Sequence, residues 1–381
     1  MPHIKVEPFD TNLIDSSIGF VEFVAKSNGV DITLVVHNGV RLFLDIVKRE
    51  REYLIKPNGV TKVSDTHILK EILNRFAKEF NLKVLSSNTN IKPYKPKSAH
   101  WALKSIEDFY DFKSSYKNIK LELGFGSARH LLYRAKQERD TLFIGIEIHT
   151  PSINQLLKQI NLQSIENIIV VNYDARLLLE MLPSNILDII YVHFPVPWDK
   201  KPHRRVISRY FLDESLRVLK KGGFLELRSD SQNYYEYSLD IFSQPKVCSF
   251  SVKKNIDIDI ISKYEERWRG MNKDIYTLRV DSLEISEDRV LDIDFEFDIN
   301  SIDDLEFPNK SIVKDDYFVH FGKSFKYSRG FVVEVSFGSF GMPEKKMIVC
   351  DGSQCYYLPS NPVKSLVNKK AHNLIKEVLN G

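Results

Sequence analysis

The chain has 381 residues, of which 43% are hydrophobic and 28% charged, so it is long enough for more than one domain and can bury a sizeable core. Its formal net charge is only +3, which excludes a uniformly basic nucleic-acid-binding protein and confines any such surface to a local patch. Three cysteines are too few for a disulfide framework and complete no zinc site, so we expect ordinary thiols and no metal.

No targeting or membrane segment is predicted. The start MPHIKVEPFD does not have the pattern of a signal peptide, and no uncharged apolar run approaches the ~20 residues of a membrane span. We therefore expect a soluble, cytoplasmic protein.

Residues 1–95 are predicted to form a β-rich accessory domain that ends in a helix. Asn-Gly turns at 28–29 and 38–39 separate three strand-like runs. Apolar residues at helical spacing predict a helix over 66–80, and a Ser-, Asn-, Pro- and Lys-rich break follows at 86–98. The predicted strands are Val21–Ala25, Ile32–Val36 and Val40–Val47.

Residues 96–281 alternate strands with helices, which predicts an α/β fold with a parallel sheet and helices on both faces. Ligands on such sheets bind beyond the carboxyl ends of the strands. A turn is predicted at Gly222-Gly223. The predicted strands are Lys120–Leu123, Thr141–Ile148, Ile168–Asn172, Ile189–Phe194 and Phe224–Ser229, and the predicted helices are Arg129–Lys136, Ile153–Asn161 and Tyr210–Leu219.

Residues 282–381 form a second β-rich accessory region with a C-terminal helix. Strands are predicted at Phe331–Phe337 and Lys346–Cys350, and a helix at Lys369–Leu379. The stretches that begin at His67 and His372 are similar to each other. A duplicated accessory fold and a chance similarity of two amphipathic helices both explain this.

Three acids at the ends of consecutive predicted strands indicate a nucleoside cofactor. Glu122 precedes the glycines Gly124 and Gly126, which allow a sharp turn and a close approach of backbone to ligand. Glu147 ends the next strand, where an acid can accept hydrogen bonds from ribose hydroxyls, and Asp174 ends the third, just before Ala175. The acid before the glycines suits the ammonium group of S-adenosylmethionine (SAM).

A basic run follows the fourth strand, in a loop stiffened by two prolines and a tryptophan. Such a run is often only a solvated face, but beside an aromatic residue at a ligand-bearing strand end it favours phosphate binding. Besides Lys200, the tRNA phosphate candidates are Lys201, Arg204, Arg205 and Arg209.

These motifs together resemble the bacterial tRNA (guanine-N7-)-methyltransferases, the TrmB family, over roughly residues 100–280. The resemblance rests on LELGFG at 121–126, GIEIH at 145–149, YDA at 173–175, FPVPWDKKPHRR at 194–205, RSD at 228–230 and SKYE at 262–265. It implies a Rossmann-like SAM methyltransferase domain over these residues, and the smaller β-rich (α+β) N- and C-terminal regions predicted above lie outside it. It further implies that the enzyme forms N7-methylguanine in tRNA, at position 46 of the variable loop.

The resemblance also implies residue roles. Glu122, Glu147 and Asp174 would bind SAM, and Lys200, Asp230 and the segment from Ser262 to Glu265 would bind the guanine.

The sequence departs from the family pattern at three positions. Ala128 replaces a glycine, which we expect to cost little because Ala is small, and Ser262 replaces a threonine but keeps the hydroxyl. Val196 replaces the aspartate of the proline-rich loop that is treated as the active-site residue, so no catalytic residue is assigned. Guanine N7 carries no proton, so its methylation needs positioning rather than a general base. We hypothesise a working enzyme in which Asp230, Glu265 or Asp199 supplies the acid.

Three alternatives stay open. The first is a catalytically impaired SAM- or tRNA-binding homologue, which Val196 favours. The second is a methyltransferase of the same fold on another RNA. The third is a nicotinamide-dependent oxidoreductase, disfavoured because Arg129 stands where a dinucleotide fingerprint needs its third glycine.

Overall fold

A computed structural model divides the chain into two compact units, residues 1–95 with 291–381, and residues 96–290. The structure describes the chain except residues 15–18, 62, 64, 92–97, 111, 290, 291, 300–306, 309, 353 and 381 and the side chain of His203. Within that part, no helix is both long enough and apolar enough to span a bilayer.

The N-terminal half of the first unit is an antiparallel sheet packed against a helix. Its elements are β1 (Ile4–Val6), β2 (Val21–Ser27), β3 (Val30–His37), β4 (Val40–Lys48), β5 (Tyr53–Pro57), α1 (Thr66–Glu79) and β6 (Val84–Ser87). Asn38 and Gly39 both have positive φ, as the tight turn between β3 and β4 requires. Leu69, Ile72, Leu73 and Phe76 of α1 lie in one apolar cluster with residues of the sheet.

The C-terminal half repeats this order of elements as far as the helix. It comprises β15 (Ile312–Val313), β16 (Phe318–Tyr327), β17 (Gly330–Gly338), β18 (Pro343–Asp351), β19 (Gln354–Leu358) and α8 (Leu366–Asn380). The two four-stranded meanders, β2–β5 and β16–β19, pair at β2 and β16, where Lys26 lies opposite Lys326. This differs from the separate N- and C-terminal regions expected from sequence, because the two ends form one sheet.

Cys350 and Cys355 differ from the ordinary thiols expected. They lie opposite each other in the β18–β19 pair, with their Cα atoms 4.1 Å apart, and form a disulfide. Their five-residue separation in sequence did not reveal this pairing, because it depends on the hairpin register.

His372 of α8 makes the first unit sensitive to acid. It is fully buried, its Nδ1 lies 3.0 Å from the Tyr357 hydroxyl, and burial lowers its pKa to about 4. In the unfolded chain His372 takes up a proton near pH 6.5, whereas in the folded chain it stays neutral down to about pH 4. The contribution of neutral His372 to stability is therefore complete above pH 6.5 and is lost as pH falls towards 4. We expect the free energy of unfolding to fall by about 2 kcal/mol between pH 7 and pH 5 from this group.

Urea denaturation at the two pH values checks this expectation. His372→Gln cannot titrate, so its free energy of unfolding should fall by about 2 kcal/mol less than that of the wild type between the two pH values. An equal loss in the variant and the wild type would show that other groups carry the acid sensitivity.

The second unit is a mixed sheet flanked by helices. Its strands are β7 (Leu103–Lys104), β8 (Asn118–Leu123), β9 (Thr141–Ile146), β10 (Ile168–Val171), β11 (Leu187–His193), β12 (Leu219–Ser229), β13 (Ser249–Lys254) and β14 (Tyr276–Asp281). They lie in the order β13-β14-β12-β11-β8-β9-β10-β7, parallel except at β14, which runs antiparallel to both of its neighbours. The helices are α2 (Arg129–Gln137), α3 (Thr150–Leu162), α4 (Ala175–Met181), α5 (Arg209–Val218), α6 (Gln232–Ser243) and α7 (Lys263–Gly270).

Both faces of this sheet are covered, which confirms the predicted α/β class. Phe143 lies in one apolar cluster with residues of α2 and α3. Leu121 and Ile144 are paired neighbours on the opposite face, and both are fully buried. The strand order reverses between β8 and β11, and ligands bind at such a switch point.

The predicted turn at Gly222-Gly223 lies inside a longer strand than expected, since β12 includes both glycines. The chain still bends there, because the pairing of β12 with β11 shifts by three residues between Leu219 and Phe224 and Gly222 has positive φ. The Gly222 N–H donates to the Ser282 carbonyl, so the backbone remains paired through the irregularity.

Candidate functional site

The glycine turn after β8 is held by Glu147. Gly124 and Gly126 have φ of +68° and +51°, a region that favours glycine. Oε2 of Glu147 accepts a hydrogen bond from the Gly126 N–H at 3.1 Å, while Oε1 accepts from Ile148 and His149 at 2.8 and 3.0 Å. The predicted acid and glycines therefore meet at the switch point.

Ala128 adopts a left-handed backbone, with φ 55° and ψ 19°, at the start of α2. The cost of replacing the glycine therefore lies in the backbone, about 1–2 kcal/mol, and not in the size of the side chain.

We expect Ala128→Gly to change stability by less than about 0.5 kcal/mol, since relief of this strain offsets the lost methyl burial and the added freedom of the unfolded chain. Ala135 is the matched control, because it is equally buried within α2 and has no such strain. Ala135→Gly should cost about 1.5 kcal/mol in thermal or urea unfolding. Equal losses in the two variants would contradict the strain at Ala128.

Glu122 is buried at the base of the glycine turn. Its Oε2 lies 2.8 Å from Nδ1 of His130, in the first turn of α2. Among the described residues this is the only hydrogen bond of the Glu122 carboxylate, so its other oxygen can receive a ligand cation.

Asp174 caps α4, which begins at Ala175. Its Oδ1 accepts from the backbone N–H of Arg176 at 3.0 Å, and its Oδ2 is paired with the Arg176 guanidinium at 2.6 Å. The third strand-end acid is thus fixed at the same edge of the sheet.

Two polar atoms at this edge support the presence of a ligand. Oγ1 of Thr150 and Nδ2 of Asn172 are buried without a hydrogen-bond partner among the described residues. Unpaired buried polar groups are costly, and a nucleoside offers both donors and acceptors. The residues at this edge therefore fit SAM.

The loop after β11 presents its aromatic and basic side chains to solvent. Val196 is 59% exposed, and Trp198 lies under the Arg204 guanidinium, 5.2 Å from the ring centroid. Lys200 and Lys201 are exposed beside them. These three basic residues form an accessible positive surface.

Arg205 and Arg209 have other partners. Arg205 is buried, donates from Nε to the Pro197 carbonyl at 2.8 Å and lies over the Tyr237 ring. Arg209 is exposed but paired with Asp213 one helical turn away. The structure thus places Arg205 in the support of the loop and not at its surface.

The predicted guanine-binding residues are divided between the surface and the interior. Asp230 follows β12 and pairs with Lys273 at 2.7 Å. Ser262 caps α7 by accepting from the Glu265 N–H. Glu265 itself is buried and paired with Arg228 at 2.7 Å and Arg269 at 2.9 Å.

Three residues of the site were not singled out from sequence. Arg228 is fully buried and also donates to Thr277, and His130 holds Glu122. A side chain at Gly126 would meet the Tyr264 ring at 3.6 Å, so α7 lies beside the glycine turn. Tyr264 lies within the SKYE motif and Arg228 within the RSD motif, although neither was given a role of its own, whereas no local pattern distinguishes His130.

No group of three or more His, Cys, Asp or Glu side chains that could hold a metal ion occurs in the described ranges.

The chain is similar to known methyltransferases. Residues 116–278 match a family model described as "Putative methyltransferase". Curated relatives named tRNA (guanine-N(7)-)-methyltransferase occur in Wolinella succinogenes, 38% identical with 92% of this chain and 91% of the relative covered, and in Helicobacter pylori strain HPAG1, 38% identical with 100% and 98% covered. A third, from Campylobacter fetus subsp. fetus, is 37% identical with 94% of each chain covered.

Proposed function

We propose the following site assignment for this chain, which belongs to the tRNA (guanine-N7-)-methyltransferase family. The chain is a SAM-dependent transferase that methylates N7 of a guanine in tRNA. Glu122 receives the ammonium group of SAM, while Glu147 and Asp174, with Gly124, Gly126 and Ala175, bind its nucleoside. The observation that supports this assignment is that three acids lie at one edge of three adjacent strands, with Glu147 holding the left-handed glycine turn.

Lys200, Asp230 and residues 262–264 hold the target guanine, while Lys201 and Arg204 contact phosphates. We assign the methylated base to position 46 of the variable loop, and the enzyme to the cytoplasm, where it acts without a metal. The exposed Trp198 and the three basic side chains beside it support tRNA contact at this edge.

When bound, SAM supplies an electrophilic methyl group on its sulfonium. Guanine N7 offers a lone pair and no proton, so no side chain needs to act as its base. The residues of this chain place N7 in line with the methyl group and exclude water. A carboxylate at the guanine N1–H and N2–H₂ edge stabilises the positive charge that the ring gains.

Transfer of labelled methyl from SAM to unmodified tRNA tests the function. Borohydride reduction and aniline cleavage of the product map the N7-methylguanine, and we expect a single cleavage at position 46. Cleavage elsewhere would overturn the position, whereas SAM binding without methyl transfer would favour the impaired homologue that Val196 suggested.

A further inference from the structure

A buried network of two carboxylate–imidazole pairs lies beneath the site. His130 Nδ1 is 2.8 Å from Glu122 Oε2, and His193 Nε2 is 2.9 Å from Glu226 Oε1. The two imidazole rings are 4.7 Å apart, and both pack edge-on against Tyr191. The proposed roles of the site residues do not explain these histidines.

The network follows the sheet register. Tyr191 of β11 lies opposite Glu122 of β8 on one side and Glu226 of β12 on the other, so the three side chains form a row on one face. His130 reaches this row from α2. Two independent elements therefore fix the position of Glu122.

The second pair, His193 and Glu226, is a neutral imidazole beside a carboxylate. Burial lowers the pKa of His193. Burial alone would raise the pKa of Glu226, but the hydrogen bond from His193 and the nearby Arg228 outweigh it and lower that pKa, so Glu226 is ionised. The second pair therefore holds His193 in place without adding a positive charge beside His130.

An imidazole has a useful geometry beside a ligand-binding acid. Through Nδ1, His130 engages one oxygen of the buried Glu122 carboxylate, and it leaves the other oxygen for a ligand. Glu122 thus keeps a fixed orientation and one available oxygen for a cation.

We propose that His130 is a positioning residue for SAM, which acts through Glu122 on the ammonium group of the methionine moiety. This inference rests on the proposed role of Glu122. The inference predicts different effects at the two ends of the cofactor. Loss of His130 should weaken binding of the amino-acid moiety and leave binding of the nucleoside unchanged.

Two neutral thioethers test this separation. S-Adenosylhomocysteine carries the ammonium group, and 5′-methylthioadenosine lacks the whole amino-acid moiety. Binding of each to the full chain is measured by calorimetry. We expect His130→Leu to raise the Kd of S-adenosylhomocysteine about tenfold and that of methylthioadenosine less than about twofold. His130→Asn, whose amide can donate from near the Nδ1 position, should stay within about threefold of wild type for both.

Controls separate positioning from damage to the fold. His372→Leu removes another buried, hydrogen-bonded histidine, from the other unit, and should change neither Kd. If His130→Leu does not fold, His130→Gln, whose amide lies one bond further out, should show the same selective loss. An unchanged Kd for S-adenosylhomocysteine, or an equal weakening of both ligands, overturns the role of His130.

Glu122→Gln tests the premise separately. A raised Kd for S-adenosylhomocysteine alone in this variant supports the role of Glu122 at the ammonium group. If the His130 variants then leave that Kd unchanged, the role of His130 is overturned while the assignment of Glu122 stands. If Glu122→Gln leaves both ligands unchanged, the assignment of Glu122 is overturned together with the inference.

Discussion

Glu265→Ala is expected to lower the free energy of unfolding by about 3–5 kcal/mol, because it leaves Arg228 charged and buried without its carboxylate partner. Nε of Arg228 already has no partner among the described residues, so the guanidinium has little further support. Urea denaturation of the full chain measures the loss.

Glu266 provides the matched control on the same helix. It pairs with Arg129 at 2.8 Å, but its side chain is 59% exposed, and exposed pairs contribute little. Glu266→Ala should therefore cost less than about 1 kcal/mol. A Glu265→Ala protein of wild-type stability with weakened tRNA binding would show instead that Glu265 contacts the guanine.

Five strands and three helices of the second unit, β8 to β12 with α2, α3 and α5, could be predicted because their signals are local. Buried parallel strands are largely apolar runs, and the observed β9 and β10 differ from the predicted strands by two residues or fewer at either end. The acids at their ends could be placed at one edge for the same reason, since parallel strands end together.

The remaining features depend on contacts between distant parts of the chain. The pairing of β2 with β16 joins residues from opposite ends of the sequence, which no periodicity reports. Glu265 and Arg205 resemble surface residues in sequence, and only the packed structure shows that each is buried with a specific partner. At Ala128 the decisive quantity is a backbone angle, which residue size does not indicate.

Asp230→Ala is expected to lower kcat/KM for tRNA about 100-fold, with the Kd of SAM unchanged. The reason is that a carboxylate on the guanine edge gains strength as the ring becomes positive, and a lost hydrogen bond to a charged group is worth about 1.5–3 kcal/mol. Single-turnover methyl transfer and SAM calorimetry measure the two quantities. The variant should remain folded, since the Lys273 that pairs with Asp230 is 41% exposed.

Asp199 is the competing acid and therefore the control. It lies in the loop itself, half-exposed, 3.4 Å from the buried Arg205. Asp199→Ala should reduce kcat/KM less than about fivefold, because supporting the loop needs the Pro197 contact of Arg205 more than this exposed pair. The reverse ranking of the two variants would move the catalytic acid from Asp230 to Asp199.

Val196→Asp tests whether another residue has replaced the loop acid or whether the acid has simply been lost. Its side chain is 59% exposed, so Val196→Asp adds a carboxylate without opening a cavity. If Asp230 supplies the charge that the loop lacks, adding Val196→Asp to the Asp230→Ala variant should raise its kcat/KM at least about tenfold. The same substitution should change the kcat/KM of the wild type little. Additive effects of the two substitutions would contradict this, because carboxylates that share one role compensate for each other, whereas independent ones do not.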